Sequence, residues 1–222
     1  VIDDLGGLDL NITQGEMNQI NKYKKDVDGV TGKNTPNVTQ YGLVHLDGTQ
    51  ATTYARIRKL SGDDFKRASR QRIVLQAMLE KAKKANPATL VKICNSVVDD
   101  ISTTLSLDQM VSLAKDVTKY KINSTTGFPT DLTTKNMPRC GDTVIPADLV
   151  TNVKKLHEYM FDDATYTPSQ TVQAISDTIV NTTGITADSA KINTSDYNET
   201  VGATGTDEIQ KGSETTGGTN VQ

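Results

Sequence analysis

Alternating apolar and polar residues predict two short strands in the first fifty residues. Residues 8–12, Leu-Asp-Leu-Asn-Ile, have the two-residue period of a strand with one buried face. Residues 42–46 predict a second strand, and residues 1–5 also favour an extended chain. Between them, residues 17–25 favour a short helix, followed by a polar loop. The chain therefore begins with the pattern of a β-sheet.

Apolar residues three and four positions apart predict that helices dominate the rest of the chain. The longest such segment runs over residues 67–84. Helix starts are indicated where a capping residue or a proline precedes a periodic segment. These starts lie at Asp47, Asn86–Pro87, Ser106, Pro146 and Thr167–Gln170, and strands are favoured at residues 121–128 and 143–145. Because strands are predicted early in the chain and helices dominate later, the sequence predicts a mixed α/β fold.

The last forty residues differ in composition from the rest. From Thr183 to Gln222 there are six acidic residues and two lysines among many Thr, Gly, Ser and Asn residues. A segment with so few apolar side chains cannot offset the conformational entropy that ordering costs. The sequence therefore predicts a folded part over residues 1–182 and a flexible, acidic tail over residues 183–222.

Length and composition indicate a globular protein without a membrane-spanning helix. The chain has 222 residues and a net charge of −3, and no run approaches the roughly 20 apolar residues that span a bilayer. Two cysteines and two histidines argue against a disulfide-rich scaffold and against a zinc site built from Cys or His. A Cys94–Cys140 bridge and two separate thiols both remain open.

Arginine is concentrated in one short segment. Five of the six arginines fall between residues 56 and 72. Arg56 and Arg58 are two positions apart and share one face if the chain there is extended. Arg67, Arg70 and Gln71 are three and four positions apart and share one face of a helix. Asp64 lies at the predicted start of that helix.

A cluster of this kind predicts an anion site. If the extended segment and the helix meet, four guanidinium groups and one amide converge near a helix N-terminus, which is itself a favourable position for an anion. The planar guanidinium group makes paired hydrogen bonds to phosphate oxygens. A bound dianion such as pyrophosphate would neutralise this cluster.

The same segment resembles the signature of the LytR-CpsA-Psr family. The resemblance rests on Leu46–Ala51 (LDGTQA), Tyr54–Lys59 (YARIRK) and Gly62–Gln71 (GDDFKRASRQ). Ile2–Leu8 (IDDLGGL) is similar to the strand motif that precedes this signature, and Ile145–His157 is similar to the family's closing helix. The resemblance extends from residue 1 to about residue 161, and its long central part is specific.

The resemblance implies a phosphotransferase of the bacterial cell envelope. Members of this family have a mixed β-sheet covered by helices on both faces (α-β-α) and an apolar channel for a polyprenyl chain. They transfer a glycopolymer of the wall teichoic acid or capsule type from a polyprenyl-pyrophosphate carrier to peptidoglycan. They act on the extracytoplasmic face of the cell membrane, to which an N-terminal helix anchors them.

Family roles can be assigned to individual positions of this chain. The resemblance assigns pyrophosphate binding to five residues and catalysis to two. The pyrophosphate-binding residues are Arg56, Arg58, Arg67, Arg70 and Gln71, and the catalytic residues are Arg58 and Asp64. For Asp64, capping the helix or orienting an arginine and taking the proton of the acceptor hydroxyl remain open alternatives.

Some functional elements of the family are expected outside this sequence. The resemblance implies Mg²⁺ bridging the pyrophosphate oxygens, with its aspartate ligands, a further arginine and the membrane helix upstream of residue 1. The chain would then be the C-terminal part of the catalytic domain and would pair with that upstream half. No residue of this chain is assigned to the metal.

Two other functions compete with this interpretation. A non-catalytic envelope module that binds polyprenyl phosphate or wall polymer would use the same arginines. Nucleic-acid binding is disfavoured, because residues 1–182 carry a net charge of only +1 and no basic recognition helix is apparent. No nucleic-acid partner is therefore expected.

Overall fold

A computed structural model of the chain describes residues 1–58 and 63–197, apart from the side chains of residues 63 and 64. The described chain forms two compact units, Val1–Lys121 and a second unit that begins at Ile122. Both units combine helices with small antiparallel sheets, so the predicted α/β class is confirmed.

In its described residues, the first unit contains one two-stranded sheet and five α-helices. Strand β1 pairs antiparallel with β2 in a register that sets Leu8 opposite Leu46 and Ile12 opposite Gly42. The bounds are β1 Leu8–Ile12, α1 Gln14–Thr31, β2 Gly42–Leu46, α2 Gly48–Ala55, α3 Asp63–Lys84, α4 Pro87–Val97 and α5 Leu107–Lys115. The two strands predicted at 8–12 and 42–46 are therefore confirmed.

Local capping explains where most of these helices begin. The predicted caps of α2, α4 and α5 are confirmed at Asp47, Asn86 and Ser106. Helix α1 is longer than the predicted 17–25, because a capping box of Thr13 and Glu16 starts it early. It ends at Gly32, whose φ of 69° suits glycine.

The core of the first unit lies between the sheet and helices α1 to α3. One face of β1 is buried, as the alternation predicted, and α2 contributes the buried ring of Tyr54. Helix α3 contributes Ile73, Val74 and Ala77, which share one face. Ile57, only 3% exposed, packs into this core just after α2. The chain between α2 and α3 is thus fixed to the core at this residue.

The first residues form turns, whereas an extended chain was predicted there. The Leu5 N–H donates to the Val1 and Ile2 carbonyl oxygens, which closes the turn. Hydrogen bonds from Lys33 and from the Gly48 N–H hold the pKa of Asp3 below its ordinary value. Gly7 has a φ of 79°, and a Cβ there would lie 2.8 Å from the Leu46 carbonyl oxygen. The turn therefore depends on glycine at this position.

The second unit contains a three-stranded sheet in the order β4-β3-β5 and two helices. Both pairings are antiparallel. The bounds are β3 Asp131–Met137, β4 Gly141–Pro146, α6 Leu149–Phe161, α7 Gln170–Thr183 and β5 Ile192–Asn193.

Two predictions near this unit need correction, and one strand was not predicted. Residues 121–128 lie outside helices and strands, and the third strand is β3, which the sequence did not indicate. Pro146 ends β4, while Asp148 caps α6 through its bond from the Thr151 N–H. Helix α7 begins within the predicted segment Thr167–Gln170, where Ser169 caps it by accepting the Val172 N–H.

The predicted tail begins later than residue 183. Helix α7 continues to Thr183, and Ile192 pairs with Leu132 of β3. The structure thus describes hydrogen-bonded chain up to Tyr197, and the rest of the predicted tail lies outside the described residues. Cys94 and Cys140 are both free thiols.

Replacing Asn152 with alanine is expected to destabilise the second unit by about 3 kcal/mol. The side chain is 0% exposed and binds the Asp131 N–H, the Asp131 carbonyl oxygen and the Asp148 carbonyl oxygen. The substitution leaves buried polar groups without partners, and each costs about 1–3 kcal/mol. Urea unfolding measures the loss. Asn181→Ala on the exposed face of α7 is the control and should be nearly neutral.

Candidate active site

Arg56 and Arg58 line the same cavity at the end of α2. Arg56 follows the last residue of the helix, and its N–H donates to the Thr53 carbonyl oxygen. The Ile57 N–H donates to the Tyr54 carbonyl oxygen, so the segment turns away from the helix with its backbone fixed. Because Ile57 points into the core, the arginines on either side of it are both exposed. The structure thus brings this pair to one cavity, although Arg56 has a φ of −100° and a ψ of −4° and the chain there is not extended as the prediction assumed.

The cavity has a volume of about 200 Å³ and is built by two helices and the segment after α2. Helix α1 contributes an aromatic ring, a carboxylate and an apolar side chain. The lining residues are Tyr23, Asp26, Val27, Thr53, Arg56, Ile57 and Arg58. Two guanidinium groups that line one cavity can bind a phosphate group through paired hydrogen bonds.

Arg70 is buried inside the first unit, whereas its position in the sequence predicted a side chain in the anion site. Its side chain is 4% exposed, and its Nε donates to Glu16 Oε1 at 2.6 Å. Its Nη1 lies 3.5 Å from the Ile57 carbonyl oxygen, a long hydrogen bond. Arg70 is thus tied to two protein groups inside the first unit. Its assignment as a pyrophosphate ligand stays a prediction.

The other assigned residues lie on α3. Arg67 is half-buried and Gln71 is exposed, and neither lines the arginine cavity in the part of the chain that is described. Asp64 belongs to α3, which begins at Asp63, but its side chain lies outside the described residues. The roles of Arg67, Gln71 and Asp64 therefore remain predictions.

Three residues near the arginines were not recognised from the sequence. Tyr23 and Asp26 reach the cavity from α1, where the spacing of three places them on one side of the helix. Glu16 forms a capping box with Thr13, a local signal that the sequence did contain. Its partner Arg70 is 54 residues away, and no local pattern indicates that pairing.

A second, apolar cavity lies at the other end of α3. It has a volume of about 410 Å³ and is lined mostly by aliphatic side chains of α4, α5 and the turn after α5. The lining residues are Lys83, Ala85, Pro87, Leu90, Val91, Val111, Ala114, Lys115, Val117 and Thr118. Lys83 and Arg70 are thirteen residues apart on α3, which corresponds to about 20 Å along the helix axis.

The described part of the chain contains neither a cluster of metal-ligand side chains nor a membrane-spanning helix. Among the described side chains, those of residues 1–58 and 65–197, no three His, Cys, Asp or Glu residues come together as metal ligands. None of the helices that the structure describes is both long and apolar enough to cross a bilayer.

Several teichoic acid transferases are similar to this chain. The polyisoprenyl-teichoic acid–peptidoglycan teichoic acid transferase TagV of Bacillus subtilis (strain 168) is 28% identical over 175 residues, which cover 76% of this chain and 41% of the relative. TagU of Bacillus mycoides (strain KBAB4) is 31% identical over 113 residues, covering 46% and 37%. TagU of Enterococcus faecalis (strain ATCC 700802 / V583) is 35% identical over 77 residues, covering 34% and 25%. The chain thus matches less than half the length of each of these relatives.

A solved structure is also similar. The crystal structure of B. subtilis TagV superposes with a TM-score of 0.48 and 20% identity, over 75% of this chain and 60% of that one. The sequence profile of the LytR_cpsA_psr family matches residues 1–156, well over half of the 222 residues. The chain therefore belongs to the LytR_cpsA_psr family.

Proposed function

We propose that the chain is part of a phosphotransferase that moves a teichoic acid type of glycopolymer from a polyprenyl-pyrophosphate carrier to peptidoglycan. The observation that carries this proposal is the pair Arg56 and Arg58, which line one cavity within the family match. The names of the relatives supply the donor and the acceptor. A capsule-type glycopolymer remains a second possible cargo.

The proposed reaction is a substitution at phosphorus. A hydroxyl oxygen of the acceptor bonds to the phosphorus that carries the glycan, and the bond from that phosphorus to the bridging oxygen breaks. Polyprenyl phosphate leaves with the bridging oxygen, and a phosphodiester joins glycan and acceptor. The hydroxyl proton passes to a base, for which Asp64 is the proposed residue.

Arg56 and Arg58 would stabilise the negative charge that develops on the leaving phosphate during this reaction. Negative charge increases on the leaving phosphate as the phosphorus–oxygen bond breaks. Fixed guanidinium groups stabilise that charge best when they are already in place and partly shielded from water. Arg58 is the proposed catalytic member of the pair, and Arg67 and Gln71 would add contacts from α3.

The described residues do not by themselves fit a metal site, since no three ligand-type side chains meet among them. The Mg²⁺ that the family resemblance implies therefore stays a prediction, with ligands from elsewhere in the protein. The steps above do not depend on it. We further propose that the enzyme works on the extracytoplasmic face of the bacterial membrane, held there by a segment outside this sequence.

The apolar cavity beside α4 and α5 is the proposed site for part of the prenyl chain. Its aliphatic lining suits a hydrocarbon, and each buried CH₂ group contributes about 0.8 kcal/mol. It lies about 20 Å along α3 from Arg70, a distance that a long prenyl chain can span.

Replacing Ala114 with tryptophan is expected to weaken the binding of undecaprenyl pyrophosphate, whose chain is long enough to reach this cavity, by about tenfold or more. The larger side chain fills the apolar cavity and displaces several CH₂ groups of the ligand. Isothermal titration calorimetry measures the affinity, and inorganic pyrophosphate should bind as before. Ala88→Trp on the exposed face of α4 is the matched control. Equal affinity of Ala114→Trp and the unchanged protein would reject this location.

Transfer itself is tested with a pyrophosphate-linked glycan lipid and peptidoglycan. The protein, supplied with its upstream part and Mg²⁺, should release polyprenyl monophosphate and form a glycan–peptidoglycan phosphodiester, detected by mass spectrometry. Tight lipid binding without either product would instead support the non-catalytic binding module.

A further inference from the structure

We propose that Glu16 is a positioning residue for pyrophosphate binding, because its ion pair with Arg70 forms a buried brace that holds the 56–58 segment. The brace consists of Glu16, Arg70 and the Ile57 carbonyl group. This inference rests on the proposed function of Arg56 and Arg58, and it assigns a role to a residue of α1 that touches no ligand.

The Arg70 side of the brace is enclosed by protein. Arg70 is 4% exposed, and its Nε is 2.6 Å from Glu16 Oε1. The same guanidinium group reaches the carbonyl oxygen of Ile57 with Nη1 at 3.5 Å. Ile57 separates the two arginines that line the cavity, so Arg70 contacts the backbone between them. A shift of the guanidinium group would therefore move both ligand-binding side chains.

The Glu16 side of the brace is fixed by the start of α1. Glu16 is 5% exposed, and its Oε2 accepts the Thr13 N–H at 3.0 Å while its Oε1 accepts Arg70. The Glu16 N–H donates to the Thr13 hydroxyl at 3.1 Å, which completes the capping box. Both carboxylate oxygens are thus engaged, and the side chain has little freedom. The capping box fixes the position of the Glu16 carboxylate, and the carboxylate fixes the position of the Arg70 guanidinium group.

A role in stability alone does not account for the contact with Ile57. A buried ion pair is weak support for stability, since removing two charges from water costs about as much as their attraction returns. Precise placement of binding groups has a large effect, because a displacement of about 1 Å can cost about 100-fold in rate. Through the contact between Arg70 and the Ile57 carbonyl oxygen, the buried ion pair holds the backbone that carries Arg56 and Arg58.

The substitution Glu16→Gln tests the brace. Glutamine also completes a capping box, so α1 should still begin at the same residue. The charge that fixes Arg70 is removed, and we expect the Kd for geranylgeranyl pyrophosphate to rise by about tenfold, since losing a residue that orients a binding group typically costs about 10- to 100-fold. Calorimetry is done at a temperature where circular dichroism shows the variant fully folded.

Three further variants separate positioning from stability. Glu16→Gln combined with Arg70→Gln removes both buried charges, and we expect it to regain thermal stability without regaining affinity. Glu158→Gln makes the same chemical change at an exposed glutamate of α6, which lines neither the arginine cavity nor the apolar cavity, and should leave the affinity unchanged. In a background lacking the Arg56 and Arg58 side chains, Glu16→Gln should change the Kd by less than about twofold, because its effect acts through them.

Hydrogen exchange provides a readout that needs no ligand. The Arg56 and Ile57 amides donate to Thr53 and Tyr54, and we expect their exchange in Glu16→Gln to speed up more than that of the amides of β1. If the unchanged protein binds no pyrophosphate, the proposed function fails, and the exchange rates still decide whether the brace exists. A lowered Tm with unchanged affinity and uniformly changed exchange would overturn the inference.

Discussion

Replacing Arg56 and Arg58 together with alanine is expected to weaken the binding of geranylgeranyl pyrophosphate by at least about 100-fold. Both side chains line one cavity, and a hydrogen bond to a charged group contributes about 1.5–3 kcal/mol. Since both are exposed, the free energy of unfolding should change by less than about 1 kcal/mol. Titration calorimetry and urea unfolding measure the two quantities.

The matched control for this pair is Arg139→Ala, the same change at the arginine outside the cluster. Arg139 is exposed in the turn between β3 and β4, and its loss should leave the affinity unchanged. Arg56→Lys with Arg58→Lys keeps both charges without the planar fork, and we expect an intermediate affinity. A similar loss in Arg139→Ala would show that binding depends on overall charge and not on the cavity.

Replacing Arg70 with alanine is expected to lower the free energy of unfolding by about 3–5 kcal/mol. The substitution leaves the Glu16 carboxylate, which is 5% exposed, without its cationic partner, and an uncompensated buried charge is strongly destabilising. Urea unfolding followed by circular dichroism measures the change.

The control for Arg70 is Lys92, a residue of the first unit whose charged side chain is exposed to solvent. Lys92 pairs with Asp4 at 2.6 Å, and its side chain is 71% exposed. Lys92→Ala should therefore cost less than about 1 kcal/mol. If Arg70→Ala were no more destabilising than Lys92→Ala, the buried pair would not be part of the folded core.

Features that depend on a few neighbouring residues were predicted well from the sequence. The caps at Asp47 and Ser106 were identified because each has a glutamine three residues later, and the cap at Asn86 was identified from the proline that follows it. Strand β3 was missed because its residues, Asp-Leu-Thr-Thr-Lys-Asn-Met, contain little apolar alternation. Its place in the sheet comes from pairing with β4 and β5, which is a tertiary property.

The arginine cluster was predicted in part. The spacing of Arg56 and Arg58 indicated a shared site, and the structure places both beside one cavity. The burial of Arg70 had a signal that was not used, because Arg70 precedes Ile73, Val74 and Ala77 by three, four and seven residues. It therefore lies on the apolar stripe of α3. Its partner Glu16 was beyond prediction, because only the tertiary fold brings α1 to α3.

The most direct test of the central claim is a titration of the unchanged protein with three ligands that share one prenyl chain. These ligands are geranylgeranyl pyrophosphate, geranylgeranyl monophosphate and geranylgeraniol. If Arg56 and Arg58 hold a pyrophosphate, affinity should fall in that order by about tenfold or more at each step, since each lost phosphate removes charged hydrogen bonds. Equal affinity for all three ligands would contradict the account, because the prenyl chain alone would then carry the binding.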